Sequence, residues 1–200
     1  MASKPIESKF VSLSGADIHY LEVGEKTAKN TVLLLHGARF SAQTWQDIGT
    51  LQFLANRDSR AVALDLPGYG RSEKISGDRV TFLLECIEDL ALDRPIVISP
   101  SMSGQYSLPF IAQYSHKLRG FVAVAPVGID RHKERLQGLA IPTLAIWGSN
   151  DRIVPVSQAD ILLQTMPNGT KVLLPNAGHP CYLKATALFH QHLMQFVQGI

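Results

Sequence analysis

Six short apolar runs, at residues 31–35, 61–64, 95–98, 120–125, 143–147 and 171–174, recur through the chain with polar or amphipathic stretches between them. Each is rich in Val, Leu, Ile or Ala, too short for a buried helix, and lacks the strict alternation of a strand with one wet face. They predict strands covered on both faces. The intervening stretches 41–56, 79–92, 102–115, 156–166 and 182–197 carry helical spacing; in the first, Trp45, Ile48, Leu51 and Leu54 form one apolar face behind a Ser41 N-cap. Strands alternating with helices predict an α/β fold with a mainly parallel sheet and helices on both faces. Ahead of them, residues 10–13 and 18–23 flank Ser14-Gly15-Ala16-Asp17, which predicts an N-terminal antiparallel hairpin and brings the sheet to about eight strands.

With 46% hydrophobic residues in 200, the chain can enclose one core, so residues 1–200 are expected to form a single domain. A formal net charge of +2 without long like-charge runs points away from nucleic acid and membrane surfaces as partners. The opening MASKPIESKF has no apolar core, and no run approaches the ~20 apolar residues of a membrane helix, so a cytoplasmic location is expected, with the nucleus also open to such a protein. Cys86 and Cys181 stand alone, without the spacing of a disulfide framework or a zinc site. Reduced thiols and no metal are the expectation.

Ligands of such sheets bind outside the carboxyl ends of the strands, which directs attention to the residues just after each run. Ser101, Asp151 and His179 each follow a predicted strand, in the order Ser…Asp…His. A serine hydroxyl is a weak nucleophile until a histidine accepts its proton, and the histidine needs a carboxylate to fix its tautomer. Three serines alternate in Ser99-Pro100-Ser101-Met102-Ser103-Gly104. A nucleophile on a tight strand-to-helix turn needs small residues two positions before and after it. Ser101 meets that condition through Ser99 and Ser103, whereas centring the turn on Ser103 would place Gln105 there.

Acyl transfer also requires N–H donors aimed at the developing oxyanion. Met102 supplies one from the turn itself; after the first parallel strand, Gly37 lets the chain bend and Ala38 presents the second, with adjacent Arg39 the alternative. His36 ends that strand and is assigned to holding the loop backbone. Asp65, in Asp65-Leu66-Pro67-Gly68, is likewise assigned to loop structure.

The stretches LLLHG (33–37), ALDLPGYGRS (63–72), GSNDRIVP (148–155) and AGH (177–179) together resemble the α/β-hydrolase superfamily over nearly the whole chain. Within it, HGARFS (36–41), ISPSMSG (98–104) and GHPCYL (178–183) resemble the small abhydrolase-domain-14 subgroup, B-type. The resemblance implies an α/β-hydrolase fold, with Ser101 as nucleophile, His179 as base and Asp151 as acid. It further implies short-acyl esterase activity and, as in vertebrate members, lysine deacetylation with coenzyme A as acyl acceptor. No other cofactor is required by that chemistry. Serines at 99 and 103 depart from the glycines of the wider superfamily but not from the subgroup.

Only residues 127–140 separate the fourth and fifth parallel runs, which leaves no room for a lid domain. An open site walled by Phe40, Met102, Val127 and Ile153 would suit a short acyl group on a small ester or amide, or on an acetylated protein. Arg39 and Phe40 are the expected substrate-binding residues, Arg39 because a guanidinium pairs with phosphate or carboxylate. The competing reading is a non-catalytic protein-interaction module on the same fold, since a fold does not dictate a function.

Overall fold

The computed structural model describes residues 4–200, so the first three residues of the MASKPIESKF stretch lie outside it. Strands β1 (Glu7–Leu13) and β2 (Ala16–Val23) pair antiparallel across Ser14 and Gly15, both at positive φ, 50° and 75°. Two left-handed residues in a two-residue loop match the twist of a tight hairpin. Then follow β3 (Asn30–Leu34), β4 (Ser59–Leu64), β5 (Ile96–Pro100), β6 (Gly120–Val124), β7 (Thr143–Gly148) and β8 (Gly169–Leu174). All eight lie in one sheet of order β1-β2-β4-β3-β5-β6-β7-β8, antiparallel up to β4 and parallel from there on.

The central strands are buried on both faces, and alternate residues feed two cores. Leu33, Val62, Val97 and Phe121 join one, Val32, Ala61, Ile98 and Val122 the other. Helices α3 (Arg79–Asp89) and α4 (Gly104–Tyr114) cover the first core with Phe82 and Phe110. Helices α1 (Ala42–Asp47) and α8 (Thr186–Gly199) cover the second with Trp45 and Phe189. The expectation of two covered faces fails for β8, where only Leu174 is buried and Leu173 is 43% exposed. Its outermost position in the sheet is the reason.

Two helices read as continuous from their spacing are interrupted. After α1 the chain turns through Gly49 at φ 74° and restarts as α2 (Thr50–Ala55), so the apolar face over 41–56 belongs to two short helices. Residues 182–197 likewise divide between α7 (Cys181–Lys184) and α8 at Ala185, whose backbone is not helical. Between β6 and β7 the chain carries α5 (Ile129–Leu136) and no lid; α6 (Ser157–Thr165) precedes β8.

Trp45 joins these parts. It is fully buried, its Nε1–H donates to Leu35 O at 2.8 Å just past β3, and its ring stacks on Tyr182 of α7 at 4.9 Å and on Phe189 at 6.0 Å. Trp45→Ala is expected to cost about 3–5 kcal/mol of unfolding free energy in urea titration, since it opens a cavity and orphans a buried carbonyl.

Acid should weaken the fold through histidines. Burial holds His36 below its ordinary 6.5, and burial together with Arg57 pushes His190 down to about 4. Below the unfolded value of 6.5 the unfolded chain takes up protons that the folded chain refuses. Stability is therefore full above that pH and falls as pH drops from about 6.5 toward 4. Urea midpoints measured from pH 8 to pH 4 should decline through this window, and His190→Gln should make the decline shallower.

Candidate functional site

β5 ends at Pro100, and Ser101 leaves it with φ 51°. This left-handed backbone is strained for a residue with a Cβ and persists only where its surroundings over-determine it. Ser101 C=O accepts the Val127 N–H at 2.9 Å, and a 3₁₀ turn over Ser101–Ser103 runs directly into α4. A Cβ on Gly104 would stand 2.4 Å from Val127 O and 2.8 Å from Pro126 Cβ. The size limit placed on Ser99 and Ser103 by sequence reasoning thus falls hardest on Gly104.

Ser99 and Ser103 are fully buried, and their hydroxyls are both used. Ser103 Oγ donates to Pro100 O at 2.8 Å. Each hydroxyl has one proton. Ser99 therefore donates to Ser103 at 2.9 Å, and Ser107 donates to Ser99 at 2.7 Å. This line of hydroxyls binds the last residues of β5 to the start of α4. Ser107 escaped sequence reasoning; its place one helical turn after Ser103, amid Tyr106, Leu108 and Phe110, was the available signal.

β7 leads to Asp151 and β8 to His179. Their loops touch because Gly148 has no side chain: a Cβ there would lie 2.3 Å from both Ala177 O and Gly178 O. Ser149 N–H donates to Leu174 O at 3.0 Å and Asn150 N–H to Ala177 O at 2.9 Å, which fixes the two loops together. The Asp151 side chain is fully buried. Its Oδ1 accepts the N–H groups of Ile153 and Val154 at 2.8 and 2.9 Å, and its Oδ2 accepts from His179 Nδ1 at 2.8 Å. A carboxylate facing Nδ1 places the ring proton there. The free Nε2 lone pair then accepts the Ser101 hydroxyl at 2.7 Å. Three residues from three separate loops stand in one line of hydrogen bonds.

The loop after β3 completes the site. β3 and β5 are neighbours, while β4 lies on the other side of β3 and β6 on the other side of β5, so a crevice opens between their carboxyl ends. A Cβ on Gly37 would lie 3.6 Å from Ser101 Cβ. Phe40 N–H closes the turn on Gly37 O at 3.1 Å, and the Ala38 N–H has no acceptor among the described residues. Met102 supplies the N–H directly after Ser101.

A cavity of about 450 Å³ opens over Ser101 and His179. Phe40 and Ile153 form its walls, as expected, together with Val124, Pro180 and Tyr182. Met102 and Val127 are not among the walls; their side chains pack on the core beneath α4. They follow the buried turn rather than the crevice.

His36, Asp65 and Cys181 are tied into the fold around the site. His36 is fully buried, its Nδ1–H donating to Gly37 O at 2.8 Å and its Nε2 accepting the Leu66 N–H at 2.9 Å. Asp65 accepts the N–H groups of Ala42 and Arg71 and the ring of His19, at 2.7, 2.9 and 2.8 Å. Gly70 leaves room for it, since a Cβ there would lie 2.1 Å from Asp65 Oδ2. Cys181 is buried, which pushes its thiol up to about 12. Among the described residues, no three His, Cys, Asp or Glu side chains gather in a metal-holding group, and no helix is long and apolar enough to cross a membrane.

The comparisons agree with this architecture. The model of the alpha/beta hydrolase family matches residues 32–142. A human relative named "Putative protein-lysine deacylase ABHD14B" is 38% identical over 201 residues, covering 95% of this chain and 94% of its own. The rat protein ABHD14A is 40% identical over 193 residues, covering 92% of this chain and 79% of its own. Among solved structures, that of a predicted CIB-like hydrolase from Thermoplasma acidophilum superposes with a TM-score of 0.93 at 21% identity, covering 98% of this chain and 100% of its own.

The hydroxyl line yields a test of the turn. Ser103→Ala removes the partner of Ser99 and is expected to cost about 1–3 kcal/mol in urea unfolding. Replacing both Ser99 and Ser103 by glycine should also slow the labelling of Ser101 by a fluorophosphonate. Unchanged stability and labelling would show that the hydroxyls do not stiffen the turn.

Proposed function

The chain belongs to the alpha/beta hydrolase family, in its abhydrolase-domain-14 subgroup, and we propose that it is a serine hydrolase or acyltransferase forming an acyl-enzyme on Ser101. The observation that carries this reading is the unbroken line from Ser101 Oγ through the His179 ring to the buried Asp151 carboxylate, at 2.7 and 2.8 Å.

In the proposed reaction Ser101 Oγ attacks the carbonyl carbon while its proton passes to His179 Nε2. Asp151 holds the ring and stabilises the imidazolium. The N–H groups of Ala38 and Met102 receive the negative charge that develops on the carbonyl oxygen. His179 then delivers its proton to the departing alcohol or amine, and the acyl group stays on Ser101. In the second half His179 takes a proton from water, or from the thiol of coenzyme A, while the entering oxygen or sulfur bonds to the acyl carbon; the bond from that carbon to Ser101 Oγ then breaks as His179 returns the proton to Oγ. No metal takes part in these steps.

The substrate class proposed is short-acyl, acetyl-like esters and amides, including acyl-lysine in proteins. The walls of Phe40, Val124, Ile153 and Tyr182 give an acyl group apolar contact, and without a lid the mouth stays open to a bulky leaving group. The deacylase name of the human relative supports lysine amides.

Wild-type protein should hydrolyse p-nitrophenyl acetate and take up a fluorophosphonate on Ser101. Ser101→Ala should lower kcat/KM by about a thousandfold or more and abolish the label. An acyl-length series should favour acetyl to butyryl over dodecanoyl. Equal labelling of Ser101→Ala, or none of wild type, would leave a binding module on a hydrolase fold; a preference for long-chain lipid esters would overturn the short-acyl assignment.

A further inference from the structure

The cavity has one charged side chain on its wall, and that charge is unanswered. Arg39 lines the opening and is exposed, and no carboxylate joins it there. The nearby acid, Asp151, already accepts from His179 and from two backbone N–H groups. Arg57, Arg60, Arg71, Arg94 and Arg119 each donate to a carbonyl, carboxylate or hydroxyl of the protein; Arg131, Arg135 and Arg152 have no side-chain hydrogen-bond or ion-pair partner among the described residues, but none of them lines the cavity. Arg39 has no hydrogen-bond or ion-pair partner among the described residues.

Its backbone, by contrast, is anchored. Gly37 O accepts both the Phe40 N–H and the His36 ring, and Ala42 N–H is held by the buried Asp65 carboxylate. Arg39 thus presents an exposed, unpaired guanidinium from an anchored loop, one Cα step of about 3.8 Å from Ala38, whose N–H faces the reacting carbonyl in the proposed mechanism. A guanidinium presents a planar fork of donors that matches carboxylate and phosphate. Apart from Ser101, His179 and Tyr182 the other wall side chains are apolar, so an anionic group entering the cavity finds Arg39 as its charged partner.

Resting on the serine-hydrolase reading, we propose that Arg39 is a specificity residue that selects substrates carrying a carboxylate or phosphate a few bonds from the reacting carbonyl. The anion can belong to the acyl group, as in a hemisuccinate, or to the group that leaves, and the two sources are separable.

The test uses two ester pairs matched in size. Methylumbelliferyl butyrate and methylumbelliferyl hemisuccinate place the charge on the acyl side; 4-acetylphenyl acetate and 4-acetoxybenzoate place it on the leaving group. The measured quantity is the ratio of kcat/KM for the anionic member to that for the neutral member, in wild type, Arg39→Gln and Arg39→Glu. In at least one pair the ratio should fall about tenfold in Arg39→Gln, mainly through KM, and further in Arg39→Glu. That pair locates the anion. The wild-type ratio should also fall between about 0.05 and 0.5 M salt, a measurement that needs no variant. Ratios that agree within twofold across the three proteins in both pairs overturn the assignment while leaving the hydrolase reading intact. Wild type that cleaves neither member of either pair overturns the hydrolase reading itself, and this proposal with it.

Discussion

Ser101 is held in a backbone conformation that it would not choose, and much of the molecule is arranged around that fact. A non-glycine residue at φ 51° costs about 1–3 kcal/mol unless its neighbours compensate. Here the compensation is local and identifiable: the Val127 N–H on Ser101 O, the bare Gly104 against the 126–127 backbone, and the hydroxyl line from Ser107 to Pro100. What the strain yields is direction. The side chain leaves the end of β5 and projects into the crevice instead of following the pleat into a core.

The partners of Ser101 reach it because β3, β5, β7 and β8 run parallel, so the loops that follow them open on the same edge of the sheet. Approach within that edge depends on an absent side chain at Gly148, under the His179 loop. Aromatic packing keeps the walls in register with the scaffold. Tyr182, which lines the cavity, stacks on Trp45, while Phe40 meets it edge-on at 6.2 Å. The cavity wall and the second core are therefore parts of one packed unit.

The sheet was largely legible in the sequence because strands buried on both faces write a local, contiguous record of apolar residues. The Ser101, Asp151 and His179 positions were legible because each follows such a record directly. Other features depend on what lies opposite, which periodicity does not register. The exposure of β8 follows from having no strand beyond it. The breaks at Gly49 and Ala185 occur inside apolar stripes that read as continuous. Gly104 and Gly148 are required by Val127 and Ala177, which lie against them from distant parts of the chain, and the walls Val124, Pro180 and Tyr182 likewise come from separate segments. Ser107 was hidden among the apolar residues of α4.

A second Ser, His and Asp line in the same molecule shows which part of the arrangement is specific to the crevice. His19 Nδ1 stands 2.8 Å from Asp65 Oδ2, and its Nε2 stands 2.9 Å from Ser8 Oγ, distances close to those between Asp151, His179 and Ser101. Yet Ser8 belongs to the regular strand β1, opposite Leu21, and its hydroxyl is shared with the Arg71 guanidinium at 2.9 Å. There the three side chains fasten the edge hairpin to the loop after β4. Ser101 has instead a strained turn, an open cavity above it and the unengaged Ala38 N–H beside it. Hydrogen-bond distances alone do not separate the two lines. Strain, space and free donors do, and all three are built by the backbone around Ser101.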